Sequence, residues 1–447
     1  MVFIKPIMKT EMKTNERIEN FINELSCDVH IPSCVHNNFD NFIPGETPVY
    51  YSGPYWGTEE VVAATQALLT GSWISAGTNV QEFENQFAKA INEEYAVMVN
   101  SGSSANLIMI AALKEYYNWK DNDEVIVSVV GFPTTTSVVV QNNLKPVFID
   151  IEFDTLNFDL DLIEEKITDK TKAVFLSPVL GNPPQMDKLV GVCNKHNLKL
   201  ILDDCDSLGS QWEGKLLNKF AVASSHSFYA AHTISTGEGG MVVTSNKAIY
   251  NIIRSLVTWG RSCICFGSEG LLPNGACGKR FSKWLRNYDG IIDHRYVFSK
   301  MGYNLKPLDL QGAIGKVQIG KLDEIYSKRN VSQKIISKSF HHVVGTKSPK
   351  VLNFASPVWF GTGIICHNRE LKEKLVAYLE ENKIQTRNYF AGNLLIHPGY
   401  EHLGDFRDYP MANEVLKRVF FVGASPAYTE EVFQYFDEVL KGFYENK

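Results

Sequence analysis

The sequence contains no apolar run that approaches the length of a membrane-spanning helix. Its first residues have only broken apolar stretches followed by a polar helical pattern, which is not the pattern of a secretory signal peptide. Positive charge is not in excess either: the 447 residues carry a formal net charge of −6, which gives no field that attracts nucleic acid. We expect a cytoplasmic protein that binds neither a membrane nor a nucleic acid.

Internal repeats and low-complexity tracts are also absent, and 44% of the residues are hydrophobic, as in an ordinary globular protein. A chain of this length is expected to form two domains rather than one. Eight cysteines in a cytoplasmic chain of this size do not indicate a disulfide framework. Four of them lie far from any motif and are interpreted as buried free thiols, namely Cys27, Cys34, Cys193 and Cys366.

Two patterns of hydrophobicity divide the chain. Between about residues 60 and 260, apolar runs of strand length alternate with helical segments, which predicts an α/β domain with a mostly parallel sheet. The predicted strands are 95–99, 124–130, 146–151, 173–177, 198–203 and 240–244. A smaller α+β domain is predicted from a helix over 311–327, a strand over 358–366 and helices over 369–382 and 429–444. The predicted units are an N-terminal helical arm at 1–50, a large domain at 51–315 and a small domain at 316–447.

Polar residues gather where two predicted strands end, which is the edge of a parallel sheet at which ligands bind. Residues 101–106 (SGSSAN) follow one strand and open a helix, so their N–H groups suit an anion, although a helix cap without a ligand has the same sequence. Asp203, Asp204 and Asp206 follow another strand. Such carboxylates suit a cationic ligand, and capping of the next turn is the alternative.

Five motifs resemble the DegT/DnrJ/EryC1/StrS family of sugar aminotransferases, a branch of the fold-type I pyridoxal phosphate enzymes. In chain order they are SGSSANL, GFPTTTSVVVQNNLKPVFID, GNPPQMDKL, SFYAAHTISTGEGGMVV and GYNLKPLDLQGAIGKVQIGKLDEI. The resemblance runs from about residue 50 to the C-terminus. It implies a pyridoxal or pyridoxamine phosphate cofactor on the mostly parallel sheet.

The resemblance also implies roles for single residues. Asp203 falls at the aspartate that pairs with the pyridine nitrogen, Asp206 near the ring hydroxyl, and Phe132 where an aromatic ring stacks on the cofactor. Asn304 matches an asparagine that reaches the phosphate of the neighbouring subunit's cofactor, so a homodimer with shared sites is implied. The phosphate-binding positions fall on Ser103, Ser104 and Ser227.

One departure from the family pattern changes the expected chemistry. Position 232, which holds the cofactor-binding lysine in the aminotransferases, is His232. An imidazole forms no stable covalent link to the cofactor, but its pKa near neutrality lets it move protons. The block resembles the SFYPAHHIT of sugar 3-dehydratases, with Ala230 and Thr233 as differences. We therefore expect a pyridoxamine phosphate enzyme that eliminates the 3-hydroxyl of a 4-keto sugar, with His232 as the base and Tyr229 as its assistant.

The remaining cysteines are Cys205, Cys263, Cys265 and Cys277, with gaps of 57, 1 and 11 residues. They resemble the [2Fe–2S] ligands of CDP-4-keto-6-deoxy-glucose 3-dehydrases, whose last gap is seven residues, and a surface loop tolerates the longer gap. Unrelated thiols or a zinc site are the alternatives, and zinc is disfavoured by the single-residue spacing. Since the chain has no GxGxxG site, a separate NAD(P)H-dependent iron–sulfur flavoprotein reductase is expected as the electron donor.

Three further interpretations stay open at this point. A glutamate-dependent, cluster-free 3-dehydratase of the GDP-sugar type also has a histidine at this position, and a non-catalytic relative of the fold would keep the same architecture. His232 disfavours an ordinary aminotransferase. The substrate is expected to be a nucleotide-linked 4-keto-6-deoxy sugar, with CDP preferred only through the resemblance. A basic region could contact its diphosphate or form a solvated face, and consists of Lys279, Arg280, Lys283, His294, Arg295 and Lys306.

Overall fold

The structure is a computed structural model that describes residues 16–25, 42–71, 74–263, 281–282 and 285–444. Its α-helices are α1 (16–25), α2 (Thr58–Thr70), α3 (Thr78–Ala90), α4 (Gly102–Tyr116), α5 (Pro133–Gln141), α6 (Met186–Lys195), α7 (Lys247–Val257), α8 (Asp309–Ile319), α9 (Leu322–Ser339), α10 (Arg369–Glu381), α11 (Pro410–Arg418) and α12 (Glu430–Lys441). Among the described residues, none of these helices combines the length and the apolar character that a membrane crossing requires.

The strands are β1 (Tyr95–Val99), β2 (Glu124–Ser128), β3 (Lys145–Ile149), β4 (Ile151–Glu152), β5 (Asn157–Phe158), β6 (Thr171–Leu176), β7 (Lys199–Asp203), β8 (Gln211–Trp212), β9 (Lys215–Leu216), β10 (Ser224–Ser227), β11 (Gly240–Thr244), β12 (Thr346–Lys347), β13 (Ala355–Ser356), β14 (Gly361–Cys366), β15 (Thr386–Asn388) and β16 (Val419–Gly423). Seven of them form the central sheet in the order β1-β11-β10-β7-β6-β2-β3. All pairs from β10 to β3 are parallel, and β11 is antiparallel to both of its neighbours. The predicted α/β fold with a mostly parallel sheet is confirmed.

The central sheet is buried on both faces, as its apolar strand sequences predict. In β1, Val97 and Val99 belong to the core that contains Ile108 of α4. The alternate residue Met98 belongs instead to the core beneath α3, with Phe83. This alternation is the two-residue period of a strand, so one short run of apolar residues joins two layers of helices.

One central strand escaped the prediction from sequence. β10 has the sequence Ser-Ser-His-Ser, and all four of its residues are buried. Its side chains find polar partners inside the protein: Ser225 donates to Asn106, and the Ser224 hydroxyl lies 3.2 Å from Nε2 of His226. A polar strand of this kind carries no hydrophobic signal, although it lies in the middle of the sheet beside β7.

The C-terminal part contains an antiparallel sheet in the order β12-β14-β16-β15. Its core includes Val49, Ile336, Ile364, Phe420 and Val432, so residues before α2 also pack here. The strand predicted at 358–366 and the helices at 369–382 and 429–444 correspond to β14, α10 and α12. The predicted domain boundary at residue 315 falls within α8, and the domain limits stay a prediction.

The single helix predicted over 311–327 is wrong, because α8 ends at Gly320 and α9 begins after Lys321. Glycine is a poor helix former, and packing explains why the break is placed there. α8 lies against α3, where a Cβ on Gly315 would come within 2.5 Å of the Phe83 ring. α9 leads instead to Ile336 in the C-terminal core.

The cysteines interpreted as structural divide into two groups. Cys193 and Cys366 are free and buried, as predicted, and burial raises the pKa of Cys193 to about 11 and that of Cys366 to about 12. Both therefore stay protonated and unreactive at neutral pH. Cys27 and Cys34 lie outside the described residues.

Candidate active site

A cavity of about 390 Å³ opens where the parallel strands of the central sheet end. Chain segments that follow β1, β2, β6, β7 and β10 all contribute to its wall. The sequence-predicted residues that line it are Ser103, Phe132, Asp203, Cys205, Asp206, Ser227, Tyr229 and His232. The topology therefore brings together side chains that are spread over about 130 positions of the sequence.

Asp203 lies at the end of β7 and is only 4% exposed. Its Oδ2 accepts hydrogen bonds from Nδ2 of Asn106 and from Oγ1 of Thr135, both at 2.7 Å. These two donors fix the orientation of the carboxylate at the end of the strand. Neither residue was predicted as part of the site, although both stand within the motifs SGSSANL and GFPTTTSVVV.

The three aspartates of this segment do not act together. Asp203 and Asp206 line the cavity, whereas Asp204 accepts a hydrogen bond from Ser207, and its Oδ2 lies 3.6 Å from Nδ1 of His226. Burial raises the pKa of Asp204 to about 8 and lowers that of His226 to about 3. This pair lies behind the cavity and supports β10 rather than a ligand, so turn-stabilising hydrogen bonds account for one of the three carboxylates.

The N-terminus of α4 forms another part of the wall. Ser101 caps this helix by accepting from the Ser104 amide at 3.1 Å, and Gly102 and Ser103 line the cavity. A Cβ on Gly102 would lie 2.4 Å from Cβ of Ser227, so only glycine lets the helix end approach β10. The free N–H groups and the positive helix end suit a phosphate. Ser104 instead hydrogen-bonds to Ser101 and does not line the cavity.

His232 lies opposite this helix, with its Nε2 at 3.4 Å from Oδ1 of Asp206. Asp206 is itself held by the amide of Leu180, which donates to its Oδ2 at 3.3 Å. The other ring nitrogen, Nδ1, is buried and has no hydrogen-bond partner within the described parts of the chain. The imidazole packs against Phe360 at 5.3 Å and against the edge of Tyr229 at 6.1 Å between ring centroids. One ring nitrogen thus lies at ion-pair distance from a carboxylate, and an imidazole in such a setting can take up and release protons.

Aromatic residues from distant parts of the chain complete the wall. Phe132 is 56% exposed and meets Phe390 edge to face, with ring centroids 6.2 Å apart. Phe390 has a left-handed backbone, with φ +46°, which an aromatic residue adopts only under constraint. Tyr51 and Phe360 also line the cavity. No sequence motif indicated Tyr51, Phe360 or Phe390, because their role depends on how the C-terminal part packs on the sheet.

Asn304 lies outside this cavity, beside a second one of about 300 Å³. Its Oδ1 accepts from Lys306, whose ammonium lies 3.5 Å from the centre of the Trp259 ring. Lys306, Arg261 and Cys263 line this second cavity. Burial, together with the nearby Arg261 charge, lowers the pKa of Lys306.

The predicted basic region and the predicted cluster ligands are only partly described. His294 is buried, with its Nδ1 at 3.4 Å from Asp293, and Arg295 pairs with the same carboxylate at 2.7 Å. Cys205 and Cys263 line different cavities, and burial raises the pKa of the Cys205 thiol. Within the described residues no group of three or more histidine, cysteine or acidic side chains could hold a metal. The positions outside them are Cys265, Cys277, Lys279, Arg280 and Lys283.

Comparisons with known proteins identify relatives over most of the chain. The chain is 36% identical over 410 residues to the dTDP-4-dehydro-2,6-dideoxy-D-glucose 3-dehydratase of Saccharopolyspora spinosa, covering 90% of this chain and 88% of the relative. It is 34% identical over 415 residues to the lipopolysaccharide biosynthesis protein RfbH of Salmonella typhimurium, covering 90% of this chain and 93% of the relative. The solved structure of E. coli GDP-4-keto-6-deoxy-D-mannose-3-dehydratase, with bound hydrated PLP, has a TM-score of 0.76 and 29% identity over 88% of this chain and 99% of that one.

The family profile described as the DegT/DnrJ/EryC1/StrS aminotransferase family matches residues 56–441. This match includes every segment that lines the larger cavity except the one that carries Tyr51. The chain therefore belongs to the DegT/DnrJ/EryC1/StrS aminotransferase family.

Proposed function

We propose that this chain is a pyridoxamine-phosphate-dependent dehydratase that removes the 3-hydroxyl of a nucleotide-linked 4-keto-6-deoxyhexose, in the biosynthesis of 3,6-dideoxysugars such as those of lipopolysaccharide O-antigens. The observation that carries the proposal is a histidine, His232, at the position of the family's cofactor-binding lysine, in the same cavity as Asp203. The named 3-dehydratases among the relatives support the reaction class.

The residues present fit such a cofactor. Asp203, a carboxylate fixed by two neutral donors, would hold the pyridine nitrogen. The exposed ring of Phe132 would stack on the cofactor ring. The 101–103 segment at the helix N-terminus, with Ser227, would hold the phosphate. When bound, the cofactor supplies an electron sink beside the sugar carbon that carries the keto group.

The protein's own part in the reaction is proton transfer. His232 takes a proton at the reacting carbon, and the departing 3-hydroxyl completes the removal of water. Asp206, 3.4 Å from Nε2, stabilises the imidazolium that forms. Because an imidazole makes no covalent link to the cofactor, His232 would leave the amine of a bound pyridoxamine phosphate unblocked. Tyr229, in contact with His232, is proposed to help orient it.

A second part of the proposal concerns reduction. Release of the 3-deoxy sugar requires two electrons, and we assign their delivery to a [2Fe–2S] cluster on Cys205, Cys263, Cys265 and Cys277. The spacing of the four cysteines supports this assignment, and so does the location of Cys205 in the wall of the cofactor cavity. The electrons would come from NAD(P)H through a separate iron–sulfur flavoprotein reductase. Among nucleotide-linked substrates, a CDP-sugar is preferred.

The rival within the same family is a glutamate-dependent, cluster-free 3-dehydratase of the GDP-sugar type, favoured by the likeness to the solved GDP-sugar enzyme. An ultraviolet–visible spectrum and iron analysis of anaerobically purified protein separate the two. We expect the absorbance of bound pyridoxamine phosphate together with the visible bands of a [2Fe–2S] cluster and two irons per chain. Protein that holds the cofactor and binds no iron, even after reconstitution with iron and sulfide, would assign the chain to the rival.

A homodimer is proposed as the functional unit, with Asn304 serving the partner's site. The segment that precedes Asn304 supports it, because several of its large apolar side chains face solvent in one chain: Met301 is 98% exposed, Ile291 76% and Tyr296 66%. Exposed apolar residues at this density are typical of a surface that a partner covers.

The substitution Asn304→Ala is expected to weaken cofactor binding, although Asn304 does not line the cavity of its own chain. Mixing this variant with Asp203→Ala should restore activity, because one of the two sites in a mixed dimer keeps both residues. The measurement is the activity of mixtures after subunit exchange, followed by native mass spectrometry. Full exchange without any recovered activity would contradict the shared site.

A further inference from the structure

The loop that carries His232 has no strand or helix of its own. It connects β10 to β11, so its carbonyl groups have no partner in a ladder or a helix. Arg329, on α9, supplies one: its Nη2 donates to the carbonyls of Ala231 at 3.1 Å and of His232 at 2.9 Å. Ser52 adds a third bond, from Oγ to the Ala231 carbonyl at 2.8 Å. The main chain of the histidine is thus fixed by side chains from outside its loop.

The same guanidinium also fixes a wall of the cavity. Nη1 of Arg329 donates to the carbonyl of Phe360 at 3.1 Å and to that of Trp359 at 3.4 Å. Phe360 in turn packs its ring against the imidazole of His232, with the centroids 5.3 Å apart. One planar group therefore holds both the backbone that carries the imidazole and the backbone that carries the ring beside it.

The four hydrogen bonds place the charged guanidinium of Arg329 in the protein interior. Arg329 is 1% exposed, and within the described residues no carboxylate hydrogen-bonds to it and its Nε has no partner. Burial lowers the pKa of Arg329 to about 10, and the Asp206 carboxylate acts in the opposite direction. A buried cation without a bonded anion is costly. Only the fixed fork of a guanidinium can reach four carbonyls in two segments at once, which a lysine cannot do.

We propose that Arg329 is a positioning residue for proton transfer at His232, acting through the main chain of residues 231 and 232 and through Phe360. The inference rests on the proposed role of His232 as the base. Loss of the four bonds would free the loop to shift, and a displacement of about 1 Å at a reacting group costs about a hundredfold in rate. The sugar and the cofactor themselves would still bind, because Arg329 does not line the cavity.

The Arg329 variants are made in a chain that also carries His232→Lys. The rate at which this lysine reacts with a ligand in the cavity reports whether the side chain at position 232 is correctly placed. A lysine there is expected to capture added pyridoxal phosphate, and borohydride makes that link permanent for mass spectrometry. The rate of capture is compared between Arg329, Arg329→Met and Arg329→Lys. The matched control is Asn330→Ala on the same helix, because Oδ1 of Asn330 accepts from the Trp359 amide at 3.4 Å but the residue does not contact the 231–232 loop.

We expect capture to slow by about a hundredfold in Arg329→Met, partly recover in Arg329→Lys and stay unchanged in Asn330→Ala. In the chain that keeps His232, Arg329→Met should lower kcat for dehydration and leave KM for the sugar unchanged. Capture at the parent rate in Arg329→Met, or an equal loss in Asn330→Ala, would overturn the proposal. If Arg329→Met does not fold, Arg329→Lys decides, and parental capture in that variant would also overturn it.

Capture requires no dehydration. A wild-type protein that eliminates water from none of the 4-keto sugars would therefore refute the proposed function and leave the result on Arg329 standing.

Discussion

His232→Asn should abolish sugar dehydration while pyridoxamine phosphate stays bound. The group lost is the proton acceptor, and general-base catalysis contributes about 10²–10⁴-fold to such rates. Binding is retained because the groups that fit the cofactor, such as Asp203 with its donors Asn106 and Thr135, are untouched. The rate of water loss from a nucleotide-linked 4-keto-6-deoxy sugar and the cofactor content of the purified variant check the two parts.

A matched control is His196→Asn, since His196 pairs with Glu164 and does not line the cavity. It should dehydrate the sugar at the parental rate. Normal turnover in His232→Asn would refute the assignment of the base. A variant that loses both activity and cofactor would show instead that His232 is an anchor.

The complementary change, His232→Lys, should restore the covalent attachment of pyridoxal phosphate that is usual in the family. The lysine would project from the same loop into the cavity that Asp203 and Phe132 line. Borohydride treatment followed by peptide mass spectrometry detects the link. If no adduct forms at position 232, the alignment of this residue with the family's lysine is wrong.

The second large effect is expected at the cysteines. Cys263→Ser should lose iron, the visible absorbance of the cluster and all net formation of the 3-deoxy product. Elimination itself should continue, because it needs only a proton acceptor and an electron sink, whereas reduction needs electrons that His232 and Asp203 cannot store. The variant should therefore still exchange the cofactor's methylene proton and incorporate solvent oxygen at sugar carbon 3 through reversible dehydration.

Cys193→Ala provides the control, since Cys193 lies on the buried face of α6 and belongs to no motif. It should keep its iron and its product yield. A Cys263→Ser protein with the parental iron content would remove Cys263 from the ligand set. Wild-type protein that binds neither iron nor sulfide on reconstitution would contradict the whole cluster assignment.

The parts of the fold that could be predicted are those with a strong hydrophobic signal. β1, β2, β6 and β7 are apolar runs bounded by polar turns, so their type and parallel arrangement follow from pattern and length. β10 could not be predicted, because it consists of serines and a histidine, which carry no hydrophobic signal. These polar residues can be buried because they find hydrogen-bond partners such as Asn106 inside the protein. The break between α8 and α9 was also missed, because the apolar pattern continues from one helix into the next.

The sequence by itself determined which residues are candidates for the site. Asp203 at the end of its strand, the serine-rich helix start and His232, which the resemblance places at the family's lysine position, are local features, and each could be recognised without knowing what lies nearby. Only the tertiary structure decided how these groups are oriented. It directs Asp203 into the cavity and Asp204 away from it, because consecutive residues at a strand end face opposite sides, and the turn that follows brings Asp206 to the cavity. It also placed Arg329 and Phe360 behind and beside His232, nearly 100 and 130 positions along the chain, where no sequence pattern links them. Orientation and burial depend on long-range packing, and packing is a property of the folded chain.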